Sequence, residues 1–559
     1  MSETILTWFL DRAERHSDRV ALRTARTTSG GTDGAMTWGE WRDASLRFSA
    51  AILSSEAADS AAVAILAGND FVWPIADLGA LSTGMTTVGL YPTSSRSQIE
   101  HMLRDCGAGA AVVDDPQQLE AILEMRTRLP ALRMVISAST GPTTPGVEHW
   151  PEWLERGARE LELNPSLIES IEARARVMAR EAPAIIIYTS GSTGEPKGAV
   201  LSHGCIDASA ESIERTLGLV ESDSAISFLP FSHAAERIFG HYTRIRCGME
   251  AVFVEEPGRV WEVASEVKPT VFGGMPRFFE KLDKLAKSSN GADPGRTRAG
   301  DLLGGRVRIA TSGGAALPVG VAASLHDGGV TVLGAYGLTE HLCVAMNRPD
   351  DFCFDTVGLP MPGSEIAIAD DGEVLVRRSE LTFSGYHSQP AETRAAFTED
   401  GEWVRTGDIG ELDSRGRLRI TGRKKELMVL SSGRKVAPLP IESRLAEHPW
   451  IAQAVLHAEG LQFVSALIAL RRDLIEEWAR DQGIAQPYAE LVSHPQVVSE
   501  VQKAVDAVNG NLSRAESIRR FVVIDRELSV ADSDLTPTHK VRRSVVLEKY
   551  SVQLNALYT

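Results

Sequence analysis

Apolar positions recur along this chain with two spacings. Short runs of small and β-branched residues, "AAVAILAGN" (61–69), "GAAVVDD" (109–115) and "RMVISAS" (133–139), read as strands. Between them the spacing lengthens to that of a helix. In "SRSQIEHMLRDCGA" the residues Ile99, Met102, Leu103 and Cys106 share one face, and Ser95 with Gln98 has the spacing of a capping box. Thr37 and Glu40 open "TWGEWRDASLRFSAAIL" in the same way. Near the start, Ile5, Leu6, Trp8, Phe9 and Ala13 suit one face of a short amphipathic helix. Alternating strands and helices predict an α/β fold with sizeable sheets.

Further on, "PSLIESIEARARVMAREAP" predicts a charged helix that stops at Pro183, and residues 288–301 read as a surface excursion. The texture then changes. "TEDGEWVRTGDIGELDSRGRLRITGRKKELMVLSSGRKVAP" places Gly-centred turns between short strands, the pattern of hairpins in a small β-barrel-like part. "AVLHAEGLQFVSALIAL" suits two strands turning at Glu459 and Gly460, and "DLIEEWARDQG" a helix capped by Asp473 and stopped by Gly483. At 559 residues the chain is too long for one core. The change in texture puts the boundary at Lys424 and Lys425, giving a large N-terminal domain of α/β subdomains (1–424) and a smaller α+β C-terminal domain (425–559).

Composition narrows the partners. A formal net charge of −17, from 58 basic and 75 acidic residues, argues against nucleic acid or an anionic membrane. No run of 18 apolar residues predicts a membrane span, and "MSETILTWFLDRAERHSDR" lacks the basic start and apolar core of a secretory leader. The cysteines (106, 205, 247, 343 and 353) are odd in number, scattered and without C-x-x-C, which predicts reduced thiols in a cytoplasmic protein.

The candidate chemistry begins at "IIIYTSGSTGEPKGAVLSH" (185–203), where an apolar strand gives way to a Gly/Ser/Thr loop. A phosphate cradle needs closely spaced backbone N–H groups and small side chains, and Ser190, Gly191, Ser192, Thr193 and Gly194 supply both. Lys197 adds a charge or braces the loop. The Walker pattern does not fit, because five on from Gly191 lies Pro196 and Gly198 follows Lys197. A plain turn after a strand is the competing reading of such a loop.

The whole string resembles the signature loop of the adenylate-forming superfamily, and further motifs follow in that family's order. "SGGAAL", with Gly313, Gly314 and Ala315, is similar to the segment lining the adenine and acyl pockets. "AYGLTE" resembles the motif whose tyrosine stacks on adenine, which implies nucleotide contacts for Ala335, Tyr336, Gly337 and Thr339 and a Mg²⁺ contact for Glu340, with Thr189 nearby. "RTGDIGEL" places Asp408, and "GRKKELMVLSSGRKVAP" places Arg423, at the ribose contacts; Lys425 falls at the hinge about which the family's small domain swings. Ser432, Gly433, Arg434 and Lys435 fall where CoA is expected. "LTPTHKVRR" holds Lys540 at the place of the catalytic lysine.

The resemblance implies a two-step reaction. A carboxylate attacks the α-phosphorus of ATP and releases pyrophosphate; a thiol then attacks the acyl adenylate and releases AMP. Two anions must meet in line, so catalysis rests on positioning and charge stabilisation. "FLPFSHAAERIFGHY" (228–242) looks like the corresponding segment of long-chain and very-long-chain fatty acyl-CoA synthetases, which implies a place for His233 near the reacting carboxylate. Phe228, Phe231, Ile238 and Phe239 read as wall of an apolar tunnel or as core. The expected substrate is a hydrophobic acid, a fatty acid or a bulky polycyclic or polyketide-like one, with ATP, Mg²⁺ and CoA. The alternatives are a ligase that loads an acyl carrier protein and a non-catalytic adenylate-binding protein on the same fold.

Overall fold

The structure is a computed structural model that describes residues 3–25, 34–139, 144–189, 195–288, 298–536 and 540–558. Among these residues two large sheets dominate. The first has eight strands, in the order Gly385–Tyr386, Lys197–Ser202, Pro183–Thr189, Thr86–Gly89, Ala62–Leu66, Ala110–Val113, Met134–Ser137 and Glu148–His149. Its centre is parallel. Side chains of one strand feed two cores: Val63 and Ile65 face one, Ala62, Ala64 and Leu66 the other. Both faces are covered, which is why these strands are continuously apolar in sequence. The helix Trp38–Leu53 starts on the Thr37–Glu40 capping box and Arg96–Cys106 on the Ser95–Gln98 box, as their spacing predicts.

The second sheet has nine strands among the described residues, in the order Leu359–Pro360, His341–Met346, Val332–Leu338, Ile309–Ser312, Val271–Gly274, Ser224–Ser227, Glu250–Phe253, Val20–Thr24 and Ala35–Thr37. The two sheets share a core in which Ile185 and Ile187 of the first join Ala225, Phe253 and Leu333 of the second. A four-stranded half-barrel sheet, Ile366–Ile368, Glu373–Arg377, Trp403–Leu412 and Leu418–Arg423, occupies the Gly-rich hairpin region.

The chain divides into two compact units, one of residues 1–367, 375–406 and 414–418, the other of 368–374, 407–413 and 419–559. The smaller unit is built on strands Ile451–His457, Val464–Leu470 and Ile518–Ile524. The first two form the hairpin read around Glu459 and Gly460, and Gly460 has φ +69°. Helices Pro438–Ala446, Arg472–Asp481 and Pro495–Asn509 cover this sheet with Ile441, Leu445, Ile475, Val497 and Val501.

Three local expectations differ. The helix before the signature strand is Ser166–Arg176 and ends seven residues short of Pro183, because the chain must turn before Pro183 can open the strand. Asp473 lies in the first turn of Arg472–Asp481, two residues past the cap position, which Arg471 holds. In the expected excursion, Ala299–Leu302 is a short helix with Ala299 buried, and residues 289–297 lie outside the described set.

Candidate active site

In the larger unit candidate motifs follow the carboxyl ends of parallel strands, where backbone amides and loop side chains are free to face a ligand. Strands Val271–Gly274, Ile309–Ser312 and Val332–Leu338 run parallel and adjacent. Gly313, Gly314 and Ala315 follow the second directly. Gly314 has φ +82° and open space where a side chain would stand, so glycine suits its turn. Ala335, Tyr336 and Gly337 lie on the third strand, which turns through Thr339 and Glu340 into the antiparallel strand His341–Met346. Tyr336 is half-buried. A Cβ on Gly337 would lie 2.0 Å from the Leu342 carbonyl oxygen, so only glycine fits this bulge.

The signature loop joins two antiparallel strands of the other sheet. Thr189 pairs with Lys197, and the Thr189 hydroxyl reaches the Lys197 carbonyl at 3.5 Å. Ser190, Gly191, Ser192, Thr193 and Gly194 lie outside the described residues. Their flank is held firmly: His101 Nε2 lies 3.0 Å from the Pro196 carbonyl and its Nδ1 3.1 Å from a Glu195 carboxylate oxygen. The Lys197 ammonium pairs with Glu392 and stands 5.6 Å from the centre of the Tyr386 ring. The Tyr386 hydroxyl in turn donates to Glu340 Oε1. Burial, then the Glu340 charge, pushes the Tyr386 phenol well above the usual tyrosine range, so it acts as a donor. One tyrosine therefore ties the loop flank to the carboxylate of "AYGLTE", motifs more than 140 positions apart in sequence.

This arrangement fits Mg²⁺ arriving with a nucleotide. Among the described residues no three His, Cys, Asp or Glu side chains cluster as a closed metal cage. Glu340 presents one carboxylate, steadied at Oε1 with Oε2 available, and Mg²⁺ typically takes one or two carboxylates and completes its shell with phosphate and water. The neighbouring His341 is different. It is fully buried between Thr382 and Ser364, at 3.1 and 2.8 Å, and burial draws its pKa down to about 4, so it is a neutral packing residue at physiological pH.

His233 lies beyond the carboxyl end of strand Ser224–Ser227, half-buried. Its Nδ1 accepts from the Ala235 N–H at 3.1 Å, which fixes one ring nitrogen against the backbone. The chain continues as a π-helix, Ala235–Tyr242. Of the apolar residues in this segment, Phe228, Phe231 and Ile238 are buried in the core; Phe231 stacks on Trp73 at 4.9 Å and Phe228 on Phe272 at 5.6 Å. Phe239 is half-buried.

The smaller unit holds the remaining candidates. Asp408, on strand Trp403–Leu412, is buried and accepts the Arg423 Nε at 2.9 Å, while Arg423 is half exposed. Lys424 is tied to Asp371 and Glu373 at 2.6 and 2.7 Å, and Glu373 also accepts the Gly407 N–H at 3.0 Å. Lys425 is exposed in the single helical turn Lys424–Glu426. Lys540 is reached by solvent, and its backbone closes a turn with Thr536, whose N–H donates to the Lys540 carbonyl at 2.8 Å. The surrounding protein lowers its ammonium pKa; Arg423 adds to this, and Asp408 and Glu426 oppose it. Lys540 thus shares one electrostatic neighbourhood with Asp408 and Arg423. Ser432, Gly433, Arg434 and Lys435 form the exposed tip and edge of the hairpin Met428–Val429 with Lys435–Val436, and Gly433 turns with φ +78°.

Tyr386, Glu392 and His101 are the residues that sequence reading missed. "SGYHSQPAET" reads as a turn before a helix, and no spacing links it to residue 197 or 340; only the pairing of Tyr386 with Ala199 does so.

Comparison with known proteins bears on family and fold. Residues 9–387 match the family model of the AMP-binding enzyme, and 425–559 that of the AMP-binding enzyme C-terminal domain. The chain is 32% identical over 545 residues to the long-chain-fatty-acid–CoA ligase FadD15 of Mycobacterium bovis, covering 89% of this chain and 88% of that one. It is 27% identical to the long-chain-fatty-acid–CoA ligase heimdall of Drosophila melanogaster, over 100% and 95% of the two chains. In fold it matches the anthranilate CoA ligase AuaEII in complex with anthranoyl-AMP (TM-score 0.79, 21% identity, 99% and 98% covered). It also matches ATP-bound MatB from Rhodopseudomonas palustris (TM-score 0.75, 20% identity, 98% and 99% covered). The two sheets, the strand-end motifs and these likenesses together make the chain a member of the AMP-binding enzyme family, the adenylate-forming superfamily, close to the fatty acyl-CoA synthetases.

Proposed function

We propose that the protein is an AMP-forming acid–thiol ligase that activates a long-chain or similarly hydrophobic carboxylic acid with ATP and transfers it to CoA. The observation that carries this reading is the convergence of Lys197 and Glu340 on Tyr386, which joins a phosphate-loop flank to a Mg²⁺-competent carboxylate. Thr189, residues 190–194 and Lys197 hold the β- and γ-phosphates; Gly313, Gly314, Ala315, Ala335, Tyr336, Gly337 and Thr339 hold the adenosine and α-phosphate. Mg²⁺, when bound by Glu340 with Thr189 nearby, supplies neutralisation of phosphate oxygens. Asp408 and Arg423 take the ribose hydroxyls: the buried carboxylate accepts, and the half-exposed guanidinium has donors to spare.

Catalysis by the chain itself is charge placement. Lys540 offers its ammonium to the carboxylate and the α-phosphate, and His233 orients the acid. For the second step Lys425 is the hinge, and Ser432 to Lys435 offer a glycine turn and two cations to the CoA phosphates. Residues 1–424 form the adenylation domain and 425–559 the domain bearing the lysine, a division supported by the spans of the two family models. No helix among the described residues is long and apolar enough to cross a membrane. All five cysteines are free, which supports a reducing, cytoplasmic setting.

The test is pyrophosphate release by purified protein across a panel of acids, with CoA or a carrier protein as acceptor. Long-chain acids should be fastest and acyl-CoA should form. Acyl-AMP that accumulates beside unused CoA would move the reading to a carrier-loading ligase. Nucleotide binding without turnover on every acid would reduce it to a binding protein.

A further inference from the structure

The dipeptide Glu236-Arg237 lies inside the π-helix that follows His233, and both side chains are buried. They point to opposite sheets. Glu236 accepts from the Ser227 hydroxyl and from Arg244 Nη1, each at 2.7 Å, and Ser227 belongs to the nine-stranded sheet. Arg237 Nη2 donates to Asp77 Oδ1 at 2.5 Å and to the hydroxyl of Thr87, which lies on strand Thr86–Gly89 of the eight-stranded sheet. Arg237 Nε donates to the Tyr242 hydroxyl at 3.2 Å, and that hydroxyl donates to Asp77 Oδ2 at 2.8 Å. The guanidinium also stands 4.8 Å from the Trp73 ring centre. Burial alone would raise the Asp77 pKa; Arg237, His241 and Thr87 hold it well below the ordinary range, so the pair is ionised. Two sheets are thus pinned across one segment by two consecutive charged residues.

A π-helix is disfavoured relative to an α-helix and tends to persist at functional sites. Here it is joined to His233 through the backbone: the Arg237 N–H donates to the His233 carbonyl at 3.0 Å, and the Ala235 N–H to the His233 ring. The register also depends on Gly240, where a Cβ would lie 2.4 Å from Glu236 Oε1. We infer that Arg237, anchored by Asp77 and Tyr242, is a positioning residue that sets the π-helix register and so the placement of the His233 ring for acid activation. This rests on the role given to His233 above.

The experiment is a double-mutant cycle on acid-dependent ATP–pyrophosphate exchange with wild type, H233A, R237K, Y242F, H233A/R237K and H233A/Y242F, with thermal unfolding of each. Y242F keeps the ring and deletes only the hydroxyl that bridges Arg237 and Asp77, so it remains informative if R237K does not fold. R237K and Y242F should each lower kcat on the order of ten-fold while the KM for ATP stays within about two-fold. In the H233A background the same changes should add less than about two-fold, because the group they position is gone. Losses that multiply in both backgrounds, or an unchanged kcat in Y242F, overturn the inference. A wild type without exchange on any acid strikes the functional reading instead. The titration of the His233 ring by NMR then decides the inference separately: it moves in Y242F if the positioning is real and stays put if not.

Discussion

Each compact unit holds an arginine–carboxylate pair, and the two pairs are opposites. Asp77 and Arg237 are both 0% exposed. Asp408 is 4% exposed and its partner Arg423 51%. The first pair uses its donors inward, on a threonine, a tyrosine and each other. Such a pair carries a large desolvation cost that its hydrogen bonds offset only in part, since Arg237 Nη1 is buried without a hydrogen-bond partner among the described residues, and full burial keeps the pair out of reach of solvent. The second buries only the acceptor and keeps the guanidinium half in water, so in the proposed role exchanging that water for ribose hydroxyls would cost little. The same two residue types form a buried frame in one place and the proposed grip in the other, and they differ in burial.

The sharpest way to break this contrast is through Lys540, which shares the neighbourhood of the exposed pair. Lys540→Ala should lower acid-dependent ATP–pyrophosphate exchange by roughly 10²–10³-fold. Its urea unfolding midpoint should stay where it is. Near-normal exchange would mean that the cations of the smaller unit are ordinary surface charges.

Next in size is stability. Arg237→Ala strands a buried carboxylate and should cost about 3–5 kcal/mol in urea unfolding, whereas Arg423→Ala should cost under about 1 kcal/mol. Equal losses would remove the distinction between frame and grip.

The smallest effect is on pH. Burial draws His203 and His341 down to about 4, His203 against the pull of Asp77. In the unfolded chain each titrates near 6.5, so between these values the unfolded state binds more protons and stability falls as pH falls. It is fully present above pH 6.5 and lost progressively towards pH 4, by at most about 3 kcal/mol per histidine. Thermal unfolding of the wild type across this range should show the slope, and His341→Gln should flatten it.

Much of the frame was legible in the residues. The capping boxes at Thr37 and Ser95 and the helix face of Ile99, Met102, Leu103 and Cys106 are local, because a helix closes its hydrogen bonds within four residues. Asp473 misled because a cap depends on one residue of backbone geometry, which composition does not resolve. The motif glycines were legible as turn formers, yet the reason for Gly337, a carbonyl 2.0 Å from where its Cβ would be, belongs to a neighbouring strand.

By itself the sequence determined the alternation of strand and helix, the net negative charge, and the order of the motifs from Thr189 to Lys540, since each is read along the chain without knowing which distant residues meet. Only the tertiary structure decided that Tyr386 joins Lys197 to Glu340, and that "ER" in "SHAAER" points to two different sheets. The physical reason is that burial and partnership are set by strand order and packing, and neither leaves a spacing along the chain to be read.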